Sequence, residues 1–106
     1  MTRAMLNVPR TARPGEIVEI KAMIAHPMET GYRVGPNGQP IPRQIINRLV
    51  CTYNGEAVFE AELFPAIAAN PFVAFTTVAT RSGTIQLAWT DDEGRTEIAS
   101  AEITVG

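Results

Sequence analysis

Hydrophobic and polar residues alternate by twos along most of the chain, in short segments separated by Gly, Pro, Asn and Asp. Successive side chains of a β-strand point to opposite faces, so this period predicts strands with one buried and one solvated face. Residues 16–25 show the pattern well, and the predicted buried face comprises Val18, Ile20, Ala22 and Ile24. The turn signal Arg13-Pro14-Gly15 precedes this strand, and Pro27 follows it.

The clearest turn signal is Asn54-Gly55, the dipeptide preferred in a two-residue type I′ turn. Strand-like runs flank it at residues 47–53 and 56–63, so we predict a β-hairpin. On the second run the expected inward side chains are Ala57, Phe59, Ala61 and Leu63. The glutamates of that run are expected to form a solvated acidic row: Glu56, Glu60 and Glu62.

The C-terminal half continues the alternation through residues 73–77, 85–89 and 99–105, with turns at Arg81-Ser82-Gly83 and at 91–94. Trp89 is the expected core anchor. Six or seven short strands in about 100 residues predict a single all-β domain, an immunoglobulin-like (fibronectin-like) β-sandwich of about seven strands over residues 1–106. A small open barrel is the alternative.

Two connecting segments lack the alternation expected of β-strands. Residues 32–42 contain Gly35-Pro36-Asn37-Gly38 and are predicted to be a loop, followed by a short helical turn through Gln44-Ile45-Ile46. Residues 64–72 are bounded by prolines and contain hardly any charge, whereas loops usually run over the wet surface. We therefore expect something to cover this apolar segment.

Composition and charge exclude several function classes. A hydrophobic fraction of 45% with 19% charged residues is ordinary for a folded domain and unlike a disordered chain. Nine basic residues against eleven acidic ones leave a net charge of −2 with no basic block, so we expect no nucleic-acid partner. No segment approaches a membrane span or the apolar core of a signal peptide, which by itself indicates a soluble, cytoplasmic protein.

Few residues carry reactive chemistry. Cys51, the sole cysteine, lies in a predicted strand with Leu49 and Tyr53 on its own face, which favours a buried, inert thiol. His26 is the only candidate base for nucleophilic catalysis. No spacing matches a zinc site, a calcium loop or a phosphate loop, so we predict no metal, cofactor or catalytic site. The alternative is a thiol enzyme or thiol carrier that uses Cys51 with His26.

Four ordered blocks carry a resemblance to a known family: residues 26–33, 40–48, 50–55 and 63–72, joined by Trp89-Thr90-Asp91-Asp92. Together they resemble the SoxZ family, from about Val8 to the C-terminus. The resemblance implies an immunoglobulin-like, non-catalytic subunit of the SoxYZ carrier complex in bacterial thiosulfate oxidation. Such a subunit binds SoxY and helps present its loaded cysteine to the Sox cytochrome, hydrolase and dehydrogenase enzymes.

The resemblance also implies where the sulfur is carried. In that family it rides on a cysteine in a Gly-Gly-Cys-Gly-Gly arm of SoxY, and this chain ends in Ile103-Thr104-Val105-Gly106 without such an arm. Cys51 is therefore not the carrier thiol by motif, although an independent sulfur carrier remains the alternative. The family further implies a periplasmic location, reached by export together with a SoxY subunit that bears a twin-arginine signal.

Uncovered aromatic residues and methionines mark interaction patches, and two loops contain them. The candidate partner-interface residues are His26, Met28, Tyr32, Phe64, Ile67 and Phe72. The alternative is that these side chains only plug the ends of the sandwich. Without its partner we expect the chain to form homodimers through such a patch or a sheet edge, and we expect no membrane partner.

Overall fold

The computed structural model describes residues 4–106. It contains eight strands: β1 (Ala4–Asn7), β2 (Thr11–Ala12), β3 (Ile17–Ile24), β4 (Ile46–Tyr53), β5 (Glu56–Glu62), β6 (Phe72–Val78), β7 (Gly83–Asp91) and β8 (Thr96–Val105). They form a three-stranded sheet in the order β1-β3-β6 and a five-stranded sheet in the order β2-β8-β7-β4-β5. The predicted all-β sandwich is confirmed. The predicted helical turn at 44–46 is wrong, because Gln44 bridges to Glu29 and Ile46 begins β4.

The core lies between the two sheets and follows the alternation in the sequence. The side chains of Ile20 and Ile24 on β3 and of Leu87 and Trp89 on β7 are fully buried. Burying a large aliphatic or aromatic side chain contributes about 1.5–3 kcal/mol, so this apolar face is the main source of stability. The prediction of Trp89 as a core anchor is confirmed.

The hairpin between β4 and β5 has the predicted turn. Asn54 and Gly55 both adopt positive φ angles, +49° and +86°, as the type I′ turn requires. Asparagine tolerates this left-handed conformation better than most residues, and glycine adopts it without steric cost.

A β-bulge interrupts the second arm of the hairpin. Cys51 is paired with Phe59 but Thr52 is paired with Ala57, so Val58 is an extra residue on β5. The bulge turns Ala57 towards solvent, and the prediction that it faces inward is wrong. Beyond the bulge Phe59 lies against the core as predicted.

The two long sides of the sandwich differ. On one side β2 pairs with β8, and β1 contacts β8. On the other side β5 and β6 are the edges of their sheets. The rings of Phe59 and Phe75 stack between these edges, with centroids 4.2 Å apart. We call this the open side.

Candidate interaction surface at the loop end

At one end of the sandwich, which we call the loop end, three connections join six strand ends in pairs. The antiparallel registers place them together, because Met23 is paired with Phe72 and Ile46 with Asp91. Three connections lie here: residues 25–45 between β3 and β4, residues 63–71 between β5 and β6, and residues 92–95 between β7 and β8. We call the first the arm and the second the apolar loop.

The arm is a hydrogen-bonded ribbon that turns back on itself. Backbone hydrogen bonds join Glu29 with Gln44, Arg33 with Ile41, and Gly35 with Gln39. The loop predicted for residues 32–42 is therefore an ordered, hairpin-like projection. Its surface exposes two large apolar side chains, since Tyr32 is 83% and Val34 is 64% accessible to solvent.

His26 and Met28 lie at the base of the arm and are buried. The backbone N–H of Met28 donates to Nδ1 of His26 over 2.9 Å. The thioether of Met28 accepts a hydrogen bond from the N–H of Ile46 at 3.2 Å. Because Nδ1 accepts a hydrogen bond, the proton of the neutral imidazole lies on Nε2. Both residues thus fix the start of the arm against the first residue of β4.

The apolar loop is tied to the arm through Asn70. Its side-chain Oδ1 accepts from the N–H of His26 at 3.0 Å, and its own N–H donates to the carbonyl of His26 at 2.8 Å. Within the loop the N–H of Ile67 donates to the carbonyl of Phe64. Phe64 is 61% exposed and Ile67 is 39% exposed, so this turn presents apolar side chains to solvent.

The structure separates the six sequence-predicted interface residues into two groups. Tyr32, Phe64, Ile67 and Phe72 are exposed, whereas His26 and Met28 are buried. The expectation that Met28 is uncovered is wrong, because its side chain is buried with its thioether at the N–H of Ile46. Phe72 does not belong to the apolar loop. It is the first residue of β6, and its side chain lies on the outer face of the three-stranded sheet. The interface role of these residues stays a prediction.

Sequence reasoning missed the ion-pair network of Asp92. Its carboxylate accepts two hydrogen bonds from the guanidinium of Arg43, both 2.9 Å, one from the side chain of Asn47 and one from the N–H of Ile45. The bonds from Arg43 hold the pKa of Asp92 well below its usual range, burial opposes them, and the bonds from Asn47 and Ile45 lower it further. The network locks the C-terminal limb of the arm to the β7–β8 turn.

Cys51 is fully buried in the middle of β4, between Phe59 on β5 and Leu87 on β7. Burial raises the pKa of its thiol to about 11. The thiolate is the reactive form of cysteine, so both its protonation and its burial suppress nucleophilic chemistry at this position. The interpretation of Cys51 as a buried thiol is confirmed.

The described residues contain no cluster of three His, Cys, Asp or Glu side chains that could hold a metal ion. In residues 4–106 there is also no helix of the length and apolarity needed to cross a bilayer. The loop end exposes aromatic and aliphatic side chains together with the guanidinium groups of Arg33 and Arg43, so it can make both apolar and charged contacts.

The fold defines the class of the protein as an immunoglobulin-like β-sandwich. Superoxide reductase (neelaredoxin) from Ignicoccus hospitalis is similar in structure, with a TM-score of 0.77 and 17% identity over all of this chain and 81% of that one. The sulfur carrier protein SoxY from Chlorobium limicola f thiosulfatophilum is similar with a TM-score of 0.68 and 14% identity, again over all of this chain and 81% of that one. The CARDB domain of PF1109 from Pyrococcus furiosus has a TM-score of 0.57 and 12% identity over 97% and 85% of the two chains.

Residues 6–102 match the family described as sulphur oxidation protein SoxZ. The chain belongs to the SoxZ family, which makes it a protein of the Sox sulfur-oxidation system. No curated protein matches its sequence significantly.

Proposed function

We propose that the chain is a non-catalytic subunit of a SoxYZ-type carrier complex. In this role it binds a SoxY partner and helps present the partner's sulfur-loaded cysteine to the Sox enzymes. The observation that carries the proposal is the loop end, where two connections that are hydrogen-bonded to each other expose Tyr32, Val34 and Phe64. Exposed aromatic side chains on a well-ordered support are typical of protein interfaces.

The ordering of the loop end supports binding in a second way. Asn70 ties the apolar loop to the base of the arm, and Asp92 ties the other limb of the arm to the β7–β8 turn. A surface held in place before binding loses less conformational entropy when a partner docks. The apolar side chains at the loop end are therefore presented at low entropic cost.

The burial and the pKa of Cys51 support a complex in which the partner carries the sulfur and this chain does not. A carrier thiol must reach several enzymes and must ionise, and a buried thiol with a pKa of about 11 does neither. We accordingly place the sulfur on the partner's cysteine and not on Cys51. No observation favours the alternative of a Cys51-based carrier or thiol enzyme.

Binding is tested by co-expressing the chain with a SoxY partner and measuring the affinity of the purified subunits by calorimetry. Truncating an aromatic hot spot costs about 2 kcal/mol or more, so we expect Tyr32→Ser and Phe64→Ser each to weaken binding about 30-fold. Ile98→Ser, at an exposed apolar position on β8, is the matched control and leaves affinity unchanged. Absence of a complex, or equal loss in all three variants, contradicts the proposal.

Sulfur loading is tested by supplying the complex with thiosulfate and the oxidising cytochrome and measuring the intact mass of each subunit. We expect the added mass only on the partner, with the same yield when this chain carries Cys51→Ala. An adduct on Cys51 would overturn the assignment.

We also propose that the chain functions in the periplasm and is exported while bound to the partner. The test is cell fractionation with and without a partner that has an intact twin-arginine signal. We expect the chain in the periplasmic fraction only when that partner is present. Export of the chain alone contradicts this part of the proposal.

A further inference from the structure

The edges of the two sheets are protected to very different degrees. An edge strand exposes unpaired backbone N–H and C=O groups, and proteins usually block it by shortness, charge, proline or a bulge. On one side, β2 has only two residues and β1 has four and packs beside β8. On the open side, β5 is interrupted by the bulge at Val58 and carries three glutamates: Glu56, Glu60 and Glu62.

β6 has none of these protections. Its seven residues, Phe-Val-Ala-Phe-Thr-Thr-Val, contain no charge and no proline, and its register with β3 is unbroken from Ile17–Val78 to Met23–Phe72. Within the described part of the chain β6 is paired with β3 alone. It is therefore an uncharged, β-prone strand with an unbroken register and one free edge.

The backbone groups that face this free edge follow from the ladder. The N–H of Ile24 donates to the carbonyl of Pro71, and the groups that face β3 alternate along the strand. The groups of Val73, Phe75 and Thr77 therefore face β3. Those pointing away from β3 belong to Phe72, Ala74, Thr76 and Val78.

Along the strand direction, the outer face of the three-stranded sheet is apolar at both ends and polar in the middle. One end is an apolar row across the strands, formed by Met5, Met23 and Phe72, which lines a groove of about 430 Å³. The other end is also apolar, with Ile17 69% and Val78 48% exposed. Between them lie polar rows, in which Lys21 is paired with Ala74 and Glu19 with Thr76.

We propose that the free edge of β6 docks the β6 strand of a second copy of this chain. The two strands run antiparallel about a twofold axis at Phe75 and join the two three-stranded sheets into one. In this register Phe72 lies opposite Val78 of the second copy, and Ala74 lies opposite Thr76. The proposal is independent of the SoxY partner.

Three features select this register. All seven residues of β6 find a partner, and the outward-facing backbone groups of Ala74 and Thr76 meet each other in hydrogen-bonded pairs. The apolar row at Phe72 meets the apolar end at Val78 of the other copy, and the polar row of Lys21 and Ala74 continues into the row of Thr76 and Glu19 of the other copy. The two Phe75 rings meet at the axis and continue the stack with Phe59.

The first test is sedimentation of the isolated chain from about 1 µM to about 1 mM, the range of weak to moderate association. We expect a monomer–dimer equilibrium. Thr76→Pro removes an outward N–H and leaves the β3 ladder intact, so it should abolish the dimer. Thr76→Lys places a cation opposite Ala74 of the other copy, in the row that contains Lys21 of that copy, and should weaken dimerisation about two- to fivefold.

Two matched controls accompany these variants. Thr76→Glu reverses the sign of the charge and should weaken the dimer less than Thr76→Lys does. Ser100→Lys adds the same charge on the outer face of β8, away from β6, and should leave dimerisation unchanged. Circular dichroism verifies that each variant is folded. A chain that stays monomeric throughout, or a dimer that none of the Thr76 variants weakens, overturns the proposal.

The register is tested by disulfide trapping. Ala74→Cys and Thr76→Cys chains are oxidised separately and as a mixture, and intact mass is recorded. Because position 74 lies opposite position 76 across the axis, the mixture should give a crosslinked dimer and the separate chains should not. Native Cys51 is buried and does not compete. Equal crosslinking in all three samples, or none in the mixture, contradicts the register.

Discussion

His26 and Asn70 are joined by two hydrogen bonds, although 44 residues separate them in the chain. The side chain of Asn70 accepts from the backbone of His26, and the backbone of Asn70 donates back to it. Asn70 also has a φ of +55°, a conformation that asparagine adopts at lower cost than alanine. This one residue therefore couples the two loops that expose the aromatic side chains.

We expect Asn70→Ala to lower the free energy of unfolding by about 2 kcal/mol, because it strains the backbone and leaves the N–H of His26 without this acceptor. Asn70→Asp retains the acceptor and should retain most of the stability. Urea denaturation measures both. Asn37→Ala, at the exposed tip of the arm, is the matched control, and an equal loss there would contradict a special role for Asn70.

The Arg43–Asp92 pair predicts a dependence of stability on pH. The folded-state pKa of Asp92 is depressed, so its contribution is complete above the unfolded value near 4 and is lost as pH falls through the folded value. Unfolding free energy should therefore decrease with acidification below about pH 4. Asp92→Asn should cost about 2 kcal/mol at neutral pH and make the decrease shallower.

Urea unfolding between about pH 7 and about pH 2 measures this effect, since that range spans the usual carboxyl pKa values. Glu19→Gln is the control, because Glu19 forms only an exposed pair with Lys21 at 3.4 Å. Such pairs contribute little, so its curve should follow that of the unmodified chain. If Asp92→Asn leaves the acid slope unchanged, the network does not control stability at low pH.

The strands and the hairpin could be predicted because they depend on local patterns. Alternation marked the buried faces of β3 and β7, and Asn54-Gly55 marked the turn, since a two-residue type I′ connection needs positive φ at both positions. The bulge at Val58 could not be predicted in this way. Its position is set by the pairing of β5 with β4. The alternation of apolar and polar residues along one strand contains no information on that register.

The candidate site was harder, because exposure in loops depends on tertiary contacts. Tyr32 and Phe64 are exposed as expected, but Met28 is buried, and its thioether accepts a hydrogen bond from the N–H of Ile46. Arg43 and Asp92 are 49 residues apart, and neither has a sequence neighbour that signals the pairing. Residue type suggested which loops present apolar side chains, whereas long-range hydrogen bonds decided which of them face solvent.

Tyr53 fixes the connection between β6 and β7, at the opposite end from the arm. Its hydroxyl accepts from the N–H groups of Thr80 and Arg81 and donates to the carbonyl of Arg81. We expect Tyr53→Phe to lower the free energy of unfolding by about 1 kcal/mol, because partly buried backbone groups of Thr80 and Arg81 lose their partner. Tyr32→Phe, at a position 83% exposed, should be neutral in the same denaturation series. Equal effects of the two changes would show that the hydroxyl of Tyr53 is dispensable.

Cys51 should be unreactive in the folded chain. With a pKa of about 11 its thiolate fraction at pH 8 is on the order of one in a thousand, and its side chain is inaccessible. We expect labelling by a thiol reagent to be at least about a hundredfold slower than for a surface cysteine, and to become fast in denaturant. The reference is Ser100→Cys in a Cys51→Ala background, which places a thiol on the exposed face of β8. Rapid labelling of Cys51 in the folded state would restore thiol chemistry as a function of this chain and count against the subunit role proposed above.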